Sequence, residues 1–178
     1  MERKTRQFDQ YLGHDAGDEE KVNEYLNESL PLVGEVVMYF NSLERTLAHF
    51  LCEILSDRTD SVGLIVLKGM QYRGKLDLFL RFEDDLHRCL EKVPESYRGL
   101  KKELEELGNL RNTVVHADFE NTDDMGYTFT HVKHTKDGLT QEYVQFSVES
   151  LIRLIARIIE SRSWLCDYWD ERNDLRNA

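Results

Sequence analysis

The sequence has no long hydrophobic run. No apolar stretch approaches the roughly 18 residues that a membrane-spanning helix needs. The residues after Met1 are charged or polar and lead into no hydrophobic segment of the kind found in secretory signals. We therefore expect a cytoplasmic protein without membrane contact. At 178 residues, it should form one domain, residues 1 to 178, with its own core.

Cysteine is scarce and follows no pattern. Cys52, Cys89 and Cys166 are odd in number, far apart and outside any Cys-x-x-Cys or Cys-x-x-His spacing. This pattern favours neither a disulfide framework nor a zinc site. We expect three reduced cysteines in helices and no metal ion or other cofactor. The scattered serines form no nucleophilic triad with them.

Positive charge is also in short supply. The 23 basic and 34 acidic residues give a net charge of −11, which repels the phosphate backbone of nucleic acid at long range. The charge therefore argues against indiscriminate nucleic-acid binding but does not forbid a local basic cleft. The acidic excess lies in residues 1 to 30, 31 to 67 and 120 to 150. An RNA site is thus expected near the C-terminal halves of the long helices.

Most of the chain has the apolar periodicity of amphipathic helices. It predicts two short peripheral helices within residues 1 to 29, separated by a break at residues 13 to 17, and a long helix from Pro31 to about Ser56. Further helices are predicted over residues 61 to 68, 75 to 92 and about 97 to 119, the last capped by Ser96. A final helix over residues 147 to 170 is capped by Ser147, and residues 171 to 178 should fray.

In one segment, apolar and polar residues alternate with a period of two, as in a β-strand. Residues 127 to 131 and 143 to 145 alternate in polarity on either side of a Lys-Asp-Gly turn, which predicts a β-hairpin. The predicted fold class is therefore all-α. It is an up-down bundle of four to five main helices, with core helices in residues 30 to 119 and a small hairpin insertion in residues 127 to 146 before the last helix.

The helices differ in how much apolar surface they present. The predicted core face of the helix over residues 75 to 92 consists of six apolar residues, Leu76, Phe79, Phe82, Leu86, Leu90 and Val93. In the last helix, Ile152 and Ile159 widen the apolar face beyond what one packing partner covers. Such an exposed apolar edge indicates a subunit interface.

A basic cluster, Lys68, Arg73 and Lys75, lies where Gly69 and Gly74 predict a loop. Glycines beside basic residues can hold phosphate, so these three residues are candidates for RNA binding. The alternative is a plain turn with solvated cations, since no phosphate-binding loop motif is present.

Arg111 occupies an unusual position for a cation. On a regular helix it lies about 40° from Leu107, within the apolar stripe, whereas His116 lies about 180° away and faces outward. A guanidinium buried without a partner costs several kcal/mol, so Arg111 needs a carboxylate, a cleft, a second subunit or an anionic ligand. Glu44, on the edge of the first long helix's stripe, is the first candidate partner. Arg111 and His116 converge only if the helix loosens near Ala117, the arginine reaches round, or a neighbouring molecule completes the site.

The segment Leu-x-x-Leu-Arg-Asn-x-x-x-His, residues 107 to 116, resembles the signature of the HEPN superfamily (higher eukaryotes and prokaryotes nucleotide-binding). That signature is an arginine, a polar residue, and then a histidine after four to six intervening positions. A preceding long helix with Phe40-Asn-x-Leu-Glu44 also fits, and the resemblance covers residues 30 to 169. It implies metal-independent RNA cleavage, with attack by the ribose 2′-OH on its own phosphodiester.

The residue types suit that chemistry. His116 would act as acid or base, Arg111 would bind the phosphate oxygens, and Asn112 would orient the imidazole or the substrate. The resemblance implies a homodimer in which two Arg/His sets share a cleft. It also implies a toxin–antitoxin or phage-defence role, with a cognate antitoxin or inhibitor protein as a further partner.

One departure concerns Asp118. HEPN toxins that a nucleotidyltransferase silences carry tyrosine two residues after the histidine, so silencing of that kind is in doubt here. Asp118 would either orient His116 or repel RNA.

Three other readings are open. An Arg111–Glu44 ion pair inside a bundle, with His116 on the surface, would indicate a non-catalytic adaptor. A HEPN fold could also bind RNA or a nucleotide without cutting it. His131 and His134 are spaced as metal ligands, but no third ligand is apparent and two exposed histidines are commoner.

Overall fold

The computed structural model of the protein describes residues 1–8, 12, 15–136 and 138–177. The elements in this part of the chain are β1 (Glu2–Gln7), α1 (Glu19–Leu55), α2 (Asp60–Leu67), α3 (Tyr72–Leu90), α4 (Glu95–Val115), β2 (Asp118–Thr122), β3 (Tyr127–Thr135), β4 (Gly138–Gln145) and α5 (Val148–Asn177). The chain divides into two compact units. The first unit contains Met1–Val37 and Leu110–Ile155, and the second contains Met38–Asn109 and the chain from Ala156 onward.

The sheet corrects the predicted fold class. The predicted hairpin is present as β3 and β4, but it belongs to a four-stranded antiparallel sheet with the strand order β1-β4-β3-β2. All four strands lie in the first unit. The protein is therefore mostly helical with a substantial sheet, rather than all-α with a small insertion.

Strand β1 replaces the helix predicted at the N-terminus. It pairs with β4 from Glu2 opposite Gln145 to Gln7 opposite Thr140. Arg3 Nη1 lies 2.8 Å from Glu142 Oε1, a carboxylate 139 positions away in the chain. Periodicity within residues 2 to 12 does not reveal so distant a partner. The end of that predicted helix, residues 9 to 11, and the break at Gly13 lie outside the described residues.

Helix α1 is continuous where two helices were predicted. It begins after Asp18, whose carboxylate accepts hydrogen bonds from the backbone N–H groups of Glu20 and Lys21, and it runs through Pro31 to Leu55. A proline inside a helix removes one backbone hydrogen bond. Pro31 is exposed, and buried residues on both sides, Ser29 and Val36, hold the helix in place.

The buried face of α3 is shifted by one residue from the predicted one. Leu76 and Phe79 are buried as predicted, but beyond them the buried positions are Leu80, Glu83 and His87. The remaining predicted core residues are half-buried or exposed: Phe82, Leu86, Leu90 and Val93. Two polar residues therefore occupy the core face, which apolar periodicity alone does not predict.

Helix α5 explains the shift. Arg172 Nε donates a hydrogen bond to Glu83 Oε1 at 2.7 Å, and the Tyr168 hydroxyl lies 2.9 Å from His87 Nε2. Arg172 is buried, so α5 continues to Asn177 and does not fray after residue 170. The prediction of a frayed end was wrong because the buried ion pair stabilises the last turns.

The other predicted apolar faces are confirmed. The structure buries most of the residues of α1, α4 and α5 that the periodicity placed in the core, whereas Ile54, Leu110 and Val148 are half-buried. The buried ones are Val36, Phe40, Leu43, Leu47, Phe50 and Leu51 in α1, Tyr97, Leu100, Leu104, Leu107 and Val114 in α4, and Leu151, Ile155, Ile158, Leu165 and Trp169 in α5. The three cysteines are free, and Ser147 Oγ accepts the Ser150 N–H as predicted for a cap. Across the described ranges, no helix combines the length and apolarity needed to span a bilayer.

Candidate functional site

Four predicted site residues, Arg111, Asn112, His116 and Asp118, lie in the first unit where α4 passes into β2. Helix α4 ends at Val115. The His116 N–H donates to the Asn112 carbonyl at 3.0 Å, and the following N–H, that of Ala117, makes a longer bond of 3.4 Å to the Val114 carbonyl. The helix therefore ends near Ala117, where a loosened helix was one of the three ways in which Arg111 and His116 could converge.

Arg111 lies at the border of the apolar face. Val114, one turn further along the helix, is fully buried, and Arg111 is half-buried with its Nε shielded from solvent. At the other side of the guanidinium, Nη1 donates to Asn112 Oδ1 at 3.1 Å in an exposed position. The Nε atom of Arg111 is thus buried, while Nη1 of the same guanidinium lies near the surface.

His116 is exposed in the turn after α4, as its angular position predicted. Its backbone is fixed by the bond to Asn112, while its imidazole is open to solvent. The segment therefore presents a cation, an amide and an imidazole within six consecutive residues.

Asp118 is engaged within its own strand. Its carboxylate accepts a hydrogen bond from the Glu120 N–H at 3.2 Å and one from Asn121 Nδ2 at 2.6 Å. Both oxygens thus stabilise the start of β2. A role for Asp118 in orienting His116 stays a prediction.

The remaining predicted site residues belong to the second unit. The loop expected between Gly69 and Gly74 is shorter, because α3 begins at Tyr72 and places Arg73 and Lys75 in a helix. Lys75 Nζ lies 2.6 Å from Glu44 Oε1, the carboxylate that the sequence offered to Arg111.

The basic cluster is largely neutralised by these pairings. Arg73 Nε lies 3.0 Å from Asp77 Oδ1, and its Nη2 lies 3.7 Å from Glu105. Lys68 is exposed directly after α2. Because Arg73 and Lys75 already have carboxylate partners, the cluster is poorly suited to bind phosphate.

His131 and His134 lie exposed on β3. Within the described residues, no three or more His, Cys, Asp and Glu side chains are grouped as metal ligands.

Sequence reasoning missed a buried polar cluster in the second unit, formed by Glu83, His87, Tyr168 and Arg172. The Tyr168 hydroxyl donates its one proton to Glu83 Oε2 at 2.7 Å, so His87 Nε2 must donate to the Tyr168 oxygen. Burial lowers the pKa of His87 and raises that of Tyr168. The missed signal was Glu83 and His87, four residues apart on the apolar stripe of α3.

Comparison with known proteins adds no relative. No family model, no curated protein and no solved structure matches the chain. The functional argument therefore depends on the residues at the end of α4 and on their chemistry.

Proposed function

We propose that the protein is a metal-independent endoribonuclease of the HEPN type, acting at a site that two copies of the chain share. The observation that supports this most is the arrangement at the end of α4. There, a partly buried Arg111 bonded to Asn112 lies five residues before an exposed His116. The proposal includes the up-down bundle expected of that family for the main helices, and a cytoplasmic location.

The reaction needs one proton acceptor and one proton donor. A neutral imidazole removes the proton of the ribose 2′-OH, the 2′ oxygen forms a bond to the adjacent phosphorus, and the bond to the 5′ oxygen breaks. A protonated imidazole then donates a proton to that leaving oxygen. The products are a 2′,3′-cyclic phosphate and a 5′-OH end. Positioned acid–base catalysis of this kind is worth about 10²- to 10⁴-fold in rate.

Arg111 supplies the electrostatic part of the mechanism. Negative charge builds on the phosphate oxygens in the transition state, and a guanidinium offers paired N–H donors in a geometry that matches them. The buried Nε restricts the side chain, so its outer nitrogen is held near the surface before substrate arrives. Asn112 keeps that nitrogen in place.

The requirement for a second copy follows from the chemistry. One histidine does not easily serve as base and acid in the same turnover, and the outward His116 can meet its symmetry mate across a two-fold axis. We therefore expect light scattering at micromolar concentration to give twice the 21.0 kDa mass of one chain. In cells, we propose a toxin–antitoxin or phage-defence role, with an inhibitor protein as a further partner.

The test is RNA cleavage in the presence of EDTA. Structured RNA incubated with the wild-type protein should be cut into fragments that carry 2′,3′-cyclic phosphates. His116→Ala and Arg111→Ala should each reduce the rate by about 10²-fold or more. His134→Ala, which removes another exposed histidine, is the matched control and should cut at the wild-type rate. Intact RNA with the wild-type protein, or equal cleavage by His116→Ala, would refute the proposal.

The acidic character of the chain favours a second candidate, a non-catalytic dimeric adaptor or RNA- or nucleotide-binding protein. The net charge is −11, and Arg73 and Lys75 are paired with carboxylates. Binding without cleavage, measured by a fluorescent RNA or a nucleotide analogue and weakened by Arg111→Ala, would support this candidate.

A further inference from the structure

Helix α2 is apolar on almost every side, yet little of it is buried. After Asp60 and Ser61 its sequence is Val-Gly-Leu-Ile-Val-Leu. Leu64 is 64% exposed and Ile65 is 75% exposed, and Val62, Val66 and the following Met70 are exposed as well. This is the densest group of exposed large apolar side chains in the part of the chain that the structure describes.

The helix is attached to its own unit by a narrow strip. Only Gly63 and Leu67, one turn apart, are buried. Gly63 lies so close to α1 that an added Cβ would stand 2.5 Å from Cys52 Sγ. A helix that is hydrophobic all round is normally buried on all sides. The outer face of α2 is therefore suited to a covering partner.

The two ends of this helix carry opposite charges. Asp60 is exposed in the first turn and Lys68 is exposed directly after the last. Asp57 and Arg58, which precede the helix, cancel each other. A helix of eight residues is about 12 Å long, so two copies packed antiparallel would bring each Asp60 close to the Lys68 of the other copy. The apolar middle would meet an identical apolar middle, as an isologous two-fold interface requires.

We infer that α2 is the surface through which two copies of this chain associate. The charges at its ends and its apolar face complement those of a second α2. The choice of a second copy over a different protein also rests on the proposed function, which needs a dimer, while the choice of α2 as the surface rests on its exposed apolar side chains and end charges alone. This places the interface on α2, whereas the sequence indicated the edge formed by Ile152 and Ile159.

The first experiment compares two matched variants by analytical ultracentrifugation. Ile65→Glu places a carboxylate in the middle of the proposed interface and should raise the dimer Kd by about 100-fold or more. Ile159→Glu makes the same change on α5, where the isoleucine is also exposed, and should leave the dimer unchanged. Thermal unfolding of both variants verifies that they are folded.

The second experiment exchanges the charges at the helix ends. Asp60→Lys and Lys68→Asp should each raise the dimer Kd by roughly tenfold, because two like-charge contacts replace two ion pairs. The double variant restores both pairs in the opposite sense and should return the Kd close to the wild-type value. Failure of the double variant to recover would show that Asp60 does not face Lys68 of the other copy.

The outcomes separate this inference from the proposed activity. A monomeric wild-type protein, or a dimer that only Ile159→Glu disrupts, would overturn the inference. A dimer that Ile65→Glu disrupts supports it even if RNA stays intact in the cleavage assay. Cleavage by a dimer that Ile65→Glu leaves unchanged would support the activity and refute α2 as its interface.

Discussion

In the second unit, the buried position of His87 changes the pKa of its side chain. His87 is buried against Tyr168, and burial, which disfavours the charged imidazole, lowers its pKa below the ordinary value near 6.5. Glu83 and Asp84 act in the opposite direction but do not outweigh burial, and Arg172 adds to the lowering. The folded protein therefore holds this imidazole neutral where the unfolded chain would already protonate it.

This difference predicts that stability falls with acid. The contribution of neutral His87 is complete above about pH 6.5. It is lost as the pH falls below that value, at up to about 1.4 kcal/mol per pH unit, because the unfolded chain then binds one more proton. Urea unfolding at pH 7.5 and 5.5 should show the loss in the wild-type protein and a smaller loss in His87→Gln, which does not titrate.

The control is His134→Gln, which replaces an exposed histidine and should keep the wild-type pH dependence. Asp123 and Glu142 do not interfere. Cationic partners, with backbone donors in the case of Asp123, outweigh burial and lower their pKa below the ordinary carboxyl range, so they stay charged across this window. Parallel stability curves for the wild-type protein and His87→Gln would contradict the argument.

At the scale of the element, the packing of α2 on α1 depends on the absence of one side chain. A Cβ on Gly63 would lie 2.5 Å from Cys52 Sγ and 2.6 Å from Cys52 Cα, closer than real side chains approach. The obstruction includes backbone, so the helices would have to separate. Glycine is needed at position 63 because the two helices lie in close contact there, and not because the backbone adopts a left-handed conformation.

Gly63→Ala should therefore reduce the free energy of unfolding by about 1 to 3 kcal/mol, in the range of overpacked cores. The matched control is Gly34→Ala in α1, where nothing lies within 4 Å of the added Cβ. Alanine there should raise stability by up to about 1 kcal/mol, since it favours the helix over the unfolded chain. Urea denaturation measures both, and equal stability of the two variants would show that Gly63 is not in close contact.

For the whole molecule, the proposed activity requires that the two copies of a dimer both contribute His116 to one site. If each site needs His116 from both chains, a mixed dimer of wild-type and His116→Ala chains is inactive. After subunit exchange at equal concentrations, about half of the wild-type chains sit in mixed dimers, so activity should fall to about half. The cleavage rate at fixed wild-type concentration and excess RNA measures this.

The same mixing with His134→Ala serves as control and should not lower the cleavage rate per wild-type chain. A rate that does not change when His116→Ala protein is added would indicate that each chain cuts independently. That result would refute the shared site and would leave the proposed roles of Arg111 and His116 to act within one chain.

The sequence by itself determined most of the helical segments, but not the N-terminal strand or the full extent of α1 and α5, and it determined that His116 faces outward. Apolar periodicity located the core residues of α1, α4 and α5, the alternation in residues 127 to 145 located the hairpin, and angular position placed His116 outward. These features follow from the residues within one element, because an element's own period decides which of its faces can be buried.

Only the tertiary structure decided which elements are neighbours. The pairing of β1 with β4, and the burial of Glu83 and His87 against α5, depend on partners more than 80 positions away in the chain. A charged or polar residue is stable inside a protein when a distant group satisfies it, and no local pattern records that group. For this reason the N-terminal strand, the face of α3 and the ordered end of α5 became clear only from the folded chain.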